Sequence, residues 1–509
     1  MMIDLREHGI GVGNGMEDFF GDGSDGIFNP SAPLSPIITA PSGGSVSCIL
    51  DGSLNTYLTA PLEGGARTII HFDFGTDVAI KRWYVYNGYF VNNESISNLC
   101  ARHEHVCMNI SYSSDNKSWT NVEAFYFHRT KHDKVVTLGE LISARYWRLQ
   151  HSDYKGSIYV GGIDWELDSH LINNEEDSDI IIKQYANVNI PENYIYSTSH
   201  RCNGIVIYSQ GDIIVNGRIS MDYRGGINKG YRTPFIFDKY IYDNGIKGFN
   251  DCMQDIPLLK GGAGGSGGSG GNSSYNDYWY YNKGGKGADG SSGRIGAGGF
   301  GGAAGGGSSS SYQESYGDGG DAGSVYNEVG IYGFGGRGGT YTNHHGTIGG
   351  HNAGGGGGAT NHNNSGGGAG GSGPSGGGGA GGCGNGGDYG QSTEFFPGGF
   401  IALIAKGDII INAGGKVTAK GGCGGFGGAA NCGGAQDNAS CGGGGGAGGH
   451  GGGVIMLLHK GEFINNGELS VAGGRGATGG FKSYWNTNKS YNGSNGSSGG
   501  IGTIVERKL

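Results

Sequence analysis

The stretch Gly261-Gly262-Ala263-Gly264-Gly265-Ser266-Gly267-Gly268-Ser269-Gly270-Gly271 repeats Gly-Gly-X with a period of three. Three readings compete for such a run. Collagen needs Gly-X-Y with abundant proline, and this chain has only 10 prolines. A flexible linker needs only small, polar residues with nothing to bury. The third reading is a bundle of left-handed polyproline-II-type helices, which have three residues per turn and rise about 3.1 Å per residue. Period three then puts Ala263, Ser266 and Ser269 on one edge and leaves two bare glycine edges. Bare edges let neighbouring helices approach until backbone N–H and C=O groups bond between them, meeting a demand that otherwise falls on water. Residues 261–509 are therefore read as a packed glycine-rich tip.

Around the glycine runs lies a repeated pattern. Ile205-Val206-Ile207-Tyr208-Ser209-Gln210-Gly211-Asp212-Ile213-Ile214-Val215-Asn216-Gly217 matches Ile401-Ala402-Leu403-Ile404-Ala405-Lys406-Gly407-Asp408-Ile409-Ile410-Ile411-Asn412. A third copy is Ile455-Met456-Leu457-Leu458-His459-Lys460-Gly461-Glu462-Phe463-Ile464-Asn465-Asn466-Gly467. Each copy is an apolar strand, a Gly-Asp or Gly-Glu turn, a second strand and an Asn turn. Repeats of this kind mark a layered architecture, and the copies are read as β layers framing the glycine bundle.

Of the 509 residues 116 are glycine, most of them after Lys260, so the chain has two compositional halves. The formal net charge is -10 and no basic stripe is present, which argues against nucleic-acid and anionic-membrane partners. Met1 to Phe20 lacks an apolar h-region, so no secretory signal is expected, and no apolar run is long enough for membrane insertion. The nine cysteines contain no CxxC pair, which argues against zinc; Cys100 and Cys107 are candidates for a loop staple. His344, His345, His351 and His362 sit in glycine-rich surroundings that do not pre-order a metal site. Gly284 to Asp289 begins like a calcium-binding nonapeptide but occurs once. No phosphate loop, nucleophile elbow or zinc-protease motif is found.

Residues 32–168 alternate apolar strands with turn clusters, an all-β signature. Within them, Leu50-Asp51-Gly52-Ser53-Leu54-Asn55-Thr56-Tyr57, His71-Phe72-Asp73-Phe74-Gly75, Ile110-Ser111-Tyr112-Ser113-Ser114-Asp115, Ala144-Arg145-Tyr146-Trp147-Arg148-Leu149 and Ile163-Asp164-Trp165-Glu166-Leu167 resemble, in order and spacing, the discoidin or coagulation-factor C-type family. That family includes many carbohydrate-binding modules. The resemblance implies a β-sandwich jelly roll. It also implies a structural Ca²⁺ held by Asp51, Thr56 and Asp164 or Glu166, in keeping with the preference of Ca²⁺ for oxygen ligands. Tyr57 stands where the family often has Trp. No other cofactor is expected.

Phe20-Gly21-Asp22-Gly23-Ser24-Asp25-Gly26 joined to residues 179–509 resembles phage tail proteins with a glycine-rich domain, and in particular the tail-fibre-tip adhesins of some T-even-like phages. The expected fold is thus all-β, a discoidin-like β-sandwich jelly roll plus β layers framing a bundle of polyproline-II-type helices. The expected divisions are an N-terminal attachment segment (1–31), the jelly roll (32–170), a β-rich connecting region (171–260) and the tip (261–509). The implied function is a non-enzymatic, virion-borne receptor-binding protein that recognises bacterial surface glycan. Its implied partners are bacterial polysaccharide and phage tail fibre or baseplate proteins, with several copies per particle. Two rivals stay open: a structural tail component without receptor binding, and the targeting part of a polysaccharide depolymerase. Receptor contact is expected from aromatic residues between glycine runs, because Tyr and Trp give large contact area at low entropic cost. These are Tyr275, Tyr278, Trp279, Tyr280, Tyr312, Tyr316, Tyr341, Tyr484, Trp485 and Tyr491. In the jelly roll the candidates are Arg102 and His103, in the loop from Asn92 to His105. The competing reading of the aromatics is that they fold back to shield the bundle.

Overall fold

The computed structural model describes residues 20–50 except 34, then 57–62, 67–87, 105–128, 134–151, 156–175 and 178–226. It further describes 261–275 except 265, 271 and 272, and the short pieces 280–282, 285–286, 309–310, 325–327 and 330–333. Last come 396–428 except 426, 440–479 and 491–509. Two compact units emerge: Ala32–Leu171, and a second made of Met1–Ser31 with Ile172–Leu509.

The second unit contains three five-stranded sheets. The first sheet holds Ser178–Tyr185, Cys202–Ser209, Phe400–Ala405, Val454–His459 and Thr503–Lys508. The second holds Ile27–Phe28, Asn187–Ile190, Ile213–Val215, Ile409–Ile411 and Phe463–Asn465. The third holds Leu171–Ile172, Ile195–Thr198, Arg218–Ser220, Lys416–Thr418 and Glu468–Ser470. The chain visits first, second and third sheet in turn and then starts the next rung. Equivalent strands pair in parallel, as in Ile205↔Ile401↔Ile455, Ile213↔Ile409↔Phe463 and Arg218↔Lys416↔Glu468. This is a three-sided parallel β-coil. The three sequence repeats are its successive rungs.

The turn residues explain the corners. At the first corner the Asp212 N–H donates to Asn187 Oδ1 (3.1 Å), the Asp408 N–H to Asp212 Oδ1 (2.8 Å) and the Glu462 N–H to Asp408 Oδ1 (2.7 Å). Each rung's side chain thus satisfies the next rung's backbone, which a tight corner otherwise leaves unpaired. The preceding glycine is required there. A Cβ on Gly407 would overlap Asp212 Oδ1, and one on Gly461 would overlap Asp408 Oδ1. At the second corner Asn29, Asn189, Asn216 and Asn412 form an amide ladder, each Nδ2 donating to the preceding Oδ1 at 2.8–3.0 Å.

Ile205, Ile207, Ile213, Val215, Ile401, Leu403, Ile409 and Leu457 fill the interior and are fully buried. Each such side chain contributes about 1.5–3 kcal/mol by leaving water. The first sheet is buried on its other face too, where Val206, Tyr208, Phe400, Ile404, Met456 and Leu458 pack with Phe20 and Val505. Burial on both faces accounts for the continuous apolar runs of Phe400–Ala405 and Val454–His459.

Within the second unit the N-terminal residues and the strands before and after residue 260 interleave. Ile27–Phe28 pairs with Asn187–Val188, the Asp25 N–H donates to Gln184 O (2.7 Å), and the Ala186 N–H donates to Gly26 O (2.6 Å). Residues 20–28 are therefore a structural edge of the coil. Strands on either side of Lys260 alternate within the same sheets, because parallel pairing joins equivalent rungs whatever their separation along the chain.

Between third-sheet and first-sheet strands the rungs run out into glycine-rich segments. Their backbone bonding has period three. Gly421, Gly424 and Gly427 donate to the carbonyls of Ala472, Arg475 and Thr478. Gly443, Gly446, Gly449 and Gly452 donate to Tyr491, Ser494, Ser497 and Gly500. On another edge of the same segment Gly444, Ala447 and His450 donate to Gly428, Gly425 and Gly422, while Gly262 and Gly268 donate to Gly452 and Gly446. Bonding in steps of three toward different neighbours is what a coil with three residues per turn produces. None of these glycines is among the positive-φ residues.

The first unit, Ala32–Leu171, is an antiparallel β-sandwich. Arg67–Asn87 runs through both layers, with a register break between Asp73 and Val78 at Gly75, whose φ is 73°. Its first half pairs with Ile37–Thr39 and Ser143–His151, beyond which lie His105–Ser113 and Thr120–His128. Its second half pairs with Gly156–Leu167 and Lys134–Thr137, with Leu58–Leu62 beyond. Phe72 and Trp147 from one layer meet Trp83 and Trp165 from the other, with Phe72–Trp83 and Trp83–Trp147 ring centroids 4.9 and 5.9 Å apart.

At the end of this unit lies His170, buried so that its pKa falls from 6.5 to about 4. The folded chain holds it neutral, whereas the unfolded chain protonates near the ordinary value. The stability this provides is complete above pH 6.5 and is lost as pH falls toward 4. The expected loss is on the order of 2 kcal/mol between neutrality and about pH 5 and below. Denaturant unfolding across that window should show the slope in the native chain and a flatter one in His170→Gln; equal slopes would refute the assignment.

Candidate functional site

The outward face of the sandwich layer containing Ser143–His151 carries a continuous ridge of cations and rings. Strand alternation sends Phe72, Trp147 and Leu149 into the core and leaves His71, Tyr146 and Arg148 outside. His71 lies opposite Arg148 in the register, and Asp73 opposite Tyr146. Arg145 lies 4.9 Å over the Tyr146 ring, His71 is 6.0 Å from Tyr146 and 5.7 Å from Trp119, and Arg148 lies 4.2 Å over Trp119. Cation–ring contacts at these distances are attractive.

Trp119 arrives on the turn between His105–Ser113 and Thr120–His128. Asp115 fixes that turn: its Oδ1 accepts the N–H groups of Lys117 and Ser118, both at 2.8 Å, and the Ser113 hydroxyl at 2.9 Å. The Ser118 and Lys117 amides hold its carboxyl well below the usual range. Asn116 takes φ 58°, which asparagine tolerates, and its Oδ1 sits 2.9 Å from His71 Nε2. Asp73 binds Arg145 through both oxygens, at 2.7 and 3.0 Å, and this partner lowers the Asp73 pKa. The ridge is thus held in place before any ligand arrives.

The expected contact residues are placed only in part. Tyr275 and Tyr280 are paired in the register of the hairpin Ser273–Tyr275 and Tyr280–Asn282. Tyr491 is 52% exposed at the start of the last glycine segment. Tyr278, Trp279, Tyr312, Tyr316, Tyr341, Tyr484, Trp485, Arg102 and His103 lie outside the described residues, as do Asp51, Thr56, Cys100 and the four histidines from His344 to His362. Of the calcium candidates, Asp164 stands opposite Tyr84 in the register. Glu166 is buried, with Oε2 3.0 Å from Arg82 Nη1 and Oε1 accepting the Tyr84 hydroxyl at 3.1 Å. Its carboxylate thus pairs with a buried guanidinium. Among the described residues no group of His, Cys, Asp or Glu is arranged to hold a metal ion.

Sequence reading missed the ridge. Its members come from positions 71, 116–119 and 145–148, and only the strand register brings them together. The alternation in Arg145–Leu149 marks Tyr146 and Arg148 as outward, but their company is not written locally.

No family model matches the chain, and no curated protein matches its sequence. Solved structures with local similarity include the family 32 carbohydrate-binding module of AlyQ in complex with 4,5-unsaturated mannuronic acid. It has 18% identity and a TM-score of 0.20, with 27% of this chain and 98% of that one covered. The family 32 module of Clostridium perfringens NanJ in complex with galactose has 14% identity and a TM-score of 0.20, over 26% of this chain and 91% of that one. A pectin-binding carbohydrate-binding module has 17% identity and a TM-score of 0.20, over 27% and 92%.

Proposed function

We propose that this chain is a non-enzymatic adhesin of a phage tail tip that binds glycan on the bacterial surface. The observation that carries the reading is the bonding of the glycine segments. Residues 443–452 are tied through main-chain bonds to neighbours on several edges, so the scaffold is ordered without large side chains. The chain between Gly479 and Tyr491, which includes Tyr484 and Trp485, begins and ends on two such segments. Contact residues carried on an ordered scaffold lose less entropy on binding, and several copies per particle convert weak sugar contacts into avidity. The aromatic and cationic ridge of the sandwich supports a second contact surface. Fibre or baseplate proteins would hold the N-terminal segment and the flanking β region.

Two measurements test this. Purified chain should bind surface polymers from at least one strain in a bacterial panel. Particles carrying Tyr484→Ala with Trp485→Ala should lose host adsorption about tenfold or more, as expected when avidity is removed. Undiminished adsorption, with tight binding only to tail proteins, would instead mark a structural component. Release of reducing sugar from those polymers would mark a depolymerase.

A further inference from the structure

Arg148 is the one charged group on the ridge whose guanidinium makes no hydrogen bond or ion pair among the described residues. Its Nε is buried without a hydrogen-bond partner among the described residues, and the guanidinium lies 4.2 Å over the face of Trp119. The neighbours given by the register are His71 on one side and Ser111 on the other, neither of them acidic. The nearby carboxylates are already engaged: Asp73 by Arg145, and Asp115 by the turn amides. A guanidinium that has lost part of its water and gained no counter-charge is poised for an anion, and its planar fork matches a carboxylate or phosphate in two parallel bonds.

We infer that the ridge takes an acidic saccharide, with Arg148 receiving the sugar's anionic group and Trp119 and Tyr146 offering ring surface beside it. This rests on the glycan-binding reading above and adds the class of sugar. Burial also pulls the Arg148 pKa down, as expected for a cation short of compensation. Lys117, exposed on the same turn, adds positive charge at the margin.

The test uses the full chain and a polyuronate, beside the same polymer with its carboxyl groups methyl-esterified. Esterification keeps the rings and removes the charge. The native chain should bind the acidic form about tenfold or more tightly, the effect of one good charge-assisted contact. Arg148→Gln should bring the two affinities together. Arg148→Lys should recover only part of the difference, because an ammonium lacks the fork. Lys117→Glu, at an exposed turn position where folding is not at stake, should narrow the gap about threefold. A phosphomannan arm separates phosphate from carboxylate as the anionic source. Equal binding of acidic and esterified polymer, or an acid preference that survives Arg148→Gln, overturns the inference while leaving glycan binding intact. Silence toward these polymers and toward the whole bacterial panel overturns both.

Discussion

Gly452→Val should cost the coil-bearing unit about 4 kcal/mol or more, enough to abolish cooperative folding in a marginally stable chain. A Cβ at this position would overlap the carbonyl oxygen of Val471. The same residue donates to Gly500 O at 3.0 Å and accepts from Gly262 N at 2.9 Å. Moving aside to make room therefore breaks bonds on two further edges, each worth about 1 kcal/mol net and more if left buried and unpaired. Neighbouring positions repeat the problem, since a Cβ on Gly446 or Gly449 would overlap the Ala477 or Gly474 carbonyl. Ser498→Val is the matched control, because Ser498 is exposed on the outermost segment. Thermal unfolding and amide exchange over residues 443–452 give the readout. If both variants melt with the native chain, or if those amides exchange at the rate of free peptide, the segments are not solid.

Glu166→Ala should be the most damaging single change in the sandwich, at roughly 3–5 kcal/mol. It removes the carboxylate paired at 3.0 Å with Arg82, whose side chain is 3% exposed, and an acceptor of the Tyr84 hydroxyl. Glu166→Gln retains a hydrogen-bond acceptor and should fall between. Arg82→Met with Glu166→Met should recover most of the loss, because removing both charges together removes the desolvation cost. Calcium divides this role from the one the family resemblance implied. If Glu166 neutralises Arg82, added Ca²⁺ leaves the variant's deficit unchanged. A native melting temperature that rises with Ca²⁺, and a variant that no longer responds, would assign the carboxylate to a cation.

Several features of the molecule are legible in its sequence for stated reasons. Gly211-Asp212, Gly407-Asp408 and Gly461-Glu462 mark equivalent corners because a Cβ on the glycine would overlap a neighbouring rung and the Asp side chains of the first two accept from the next rung's backbone. The third strand of each rung escapes notice, since Arg218–Ser220, Lys416–Thr418 and Glu468–Ser470 are short and mixed in polarity. The rung at Ser178–Tyr185 and Asn187–Ile190 escapes too, because Ala186 stands where the later corners have glycine. Above all, parallel pairing of strands as remote as Ile205 and Ile401 is a long-range decision. Local pattern identifies such strands without showing that they are neighbours. The ridge is hidden for the same reason, and so is the pairing of Glu166 with Arg82, which joins strands 84 residues apart in the chain.

Side-chain ladders link the rungs at two corners, and at the third the Lys420 N–H donates to Asp222 Oδ1 (2.6 Å) just before the glycine-rich excursions depart. Alignment of the rungs is thus locked independently of how far the chain wanders before returning. The molecule behaves as a rack with exchangeable cartridges. The excursions could therefore be traded, lengthened or shortened without refashioning the part that folds.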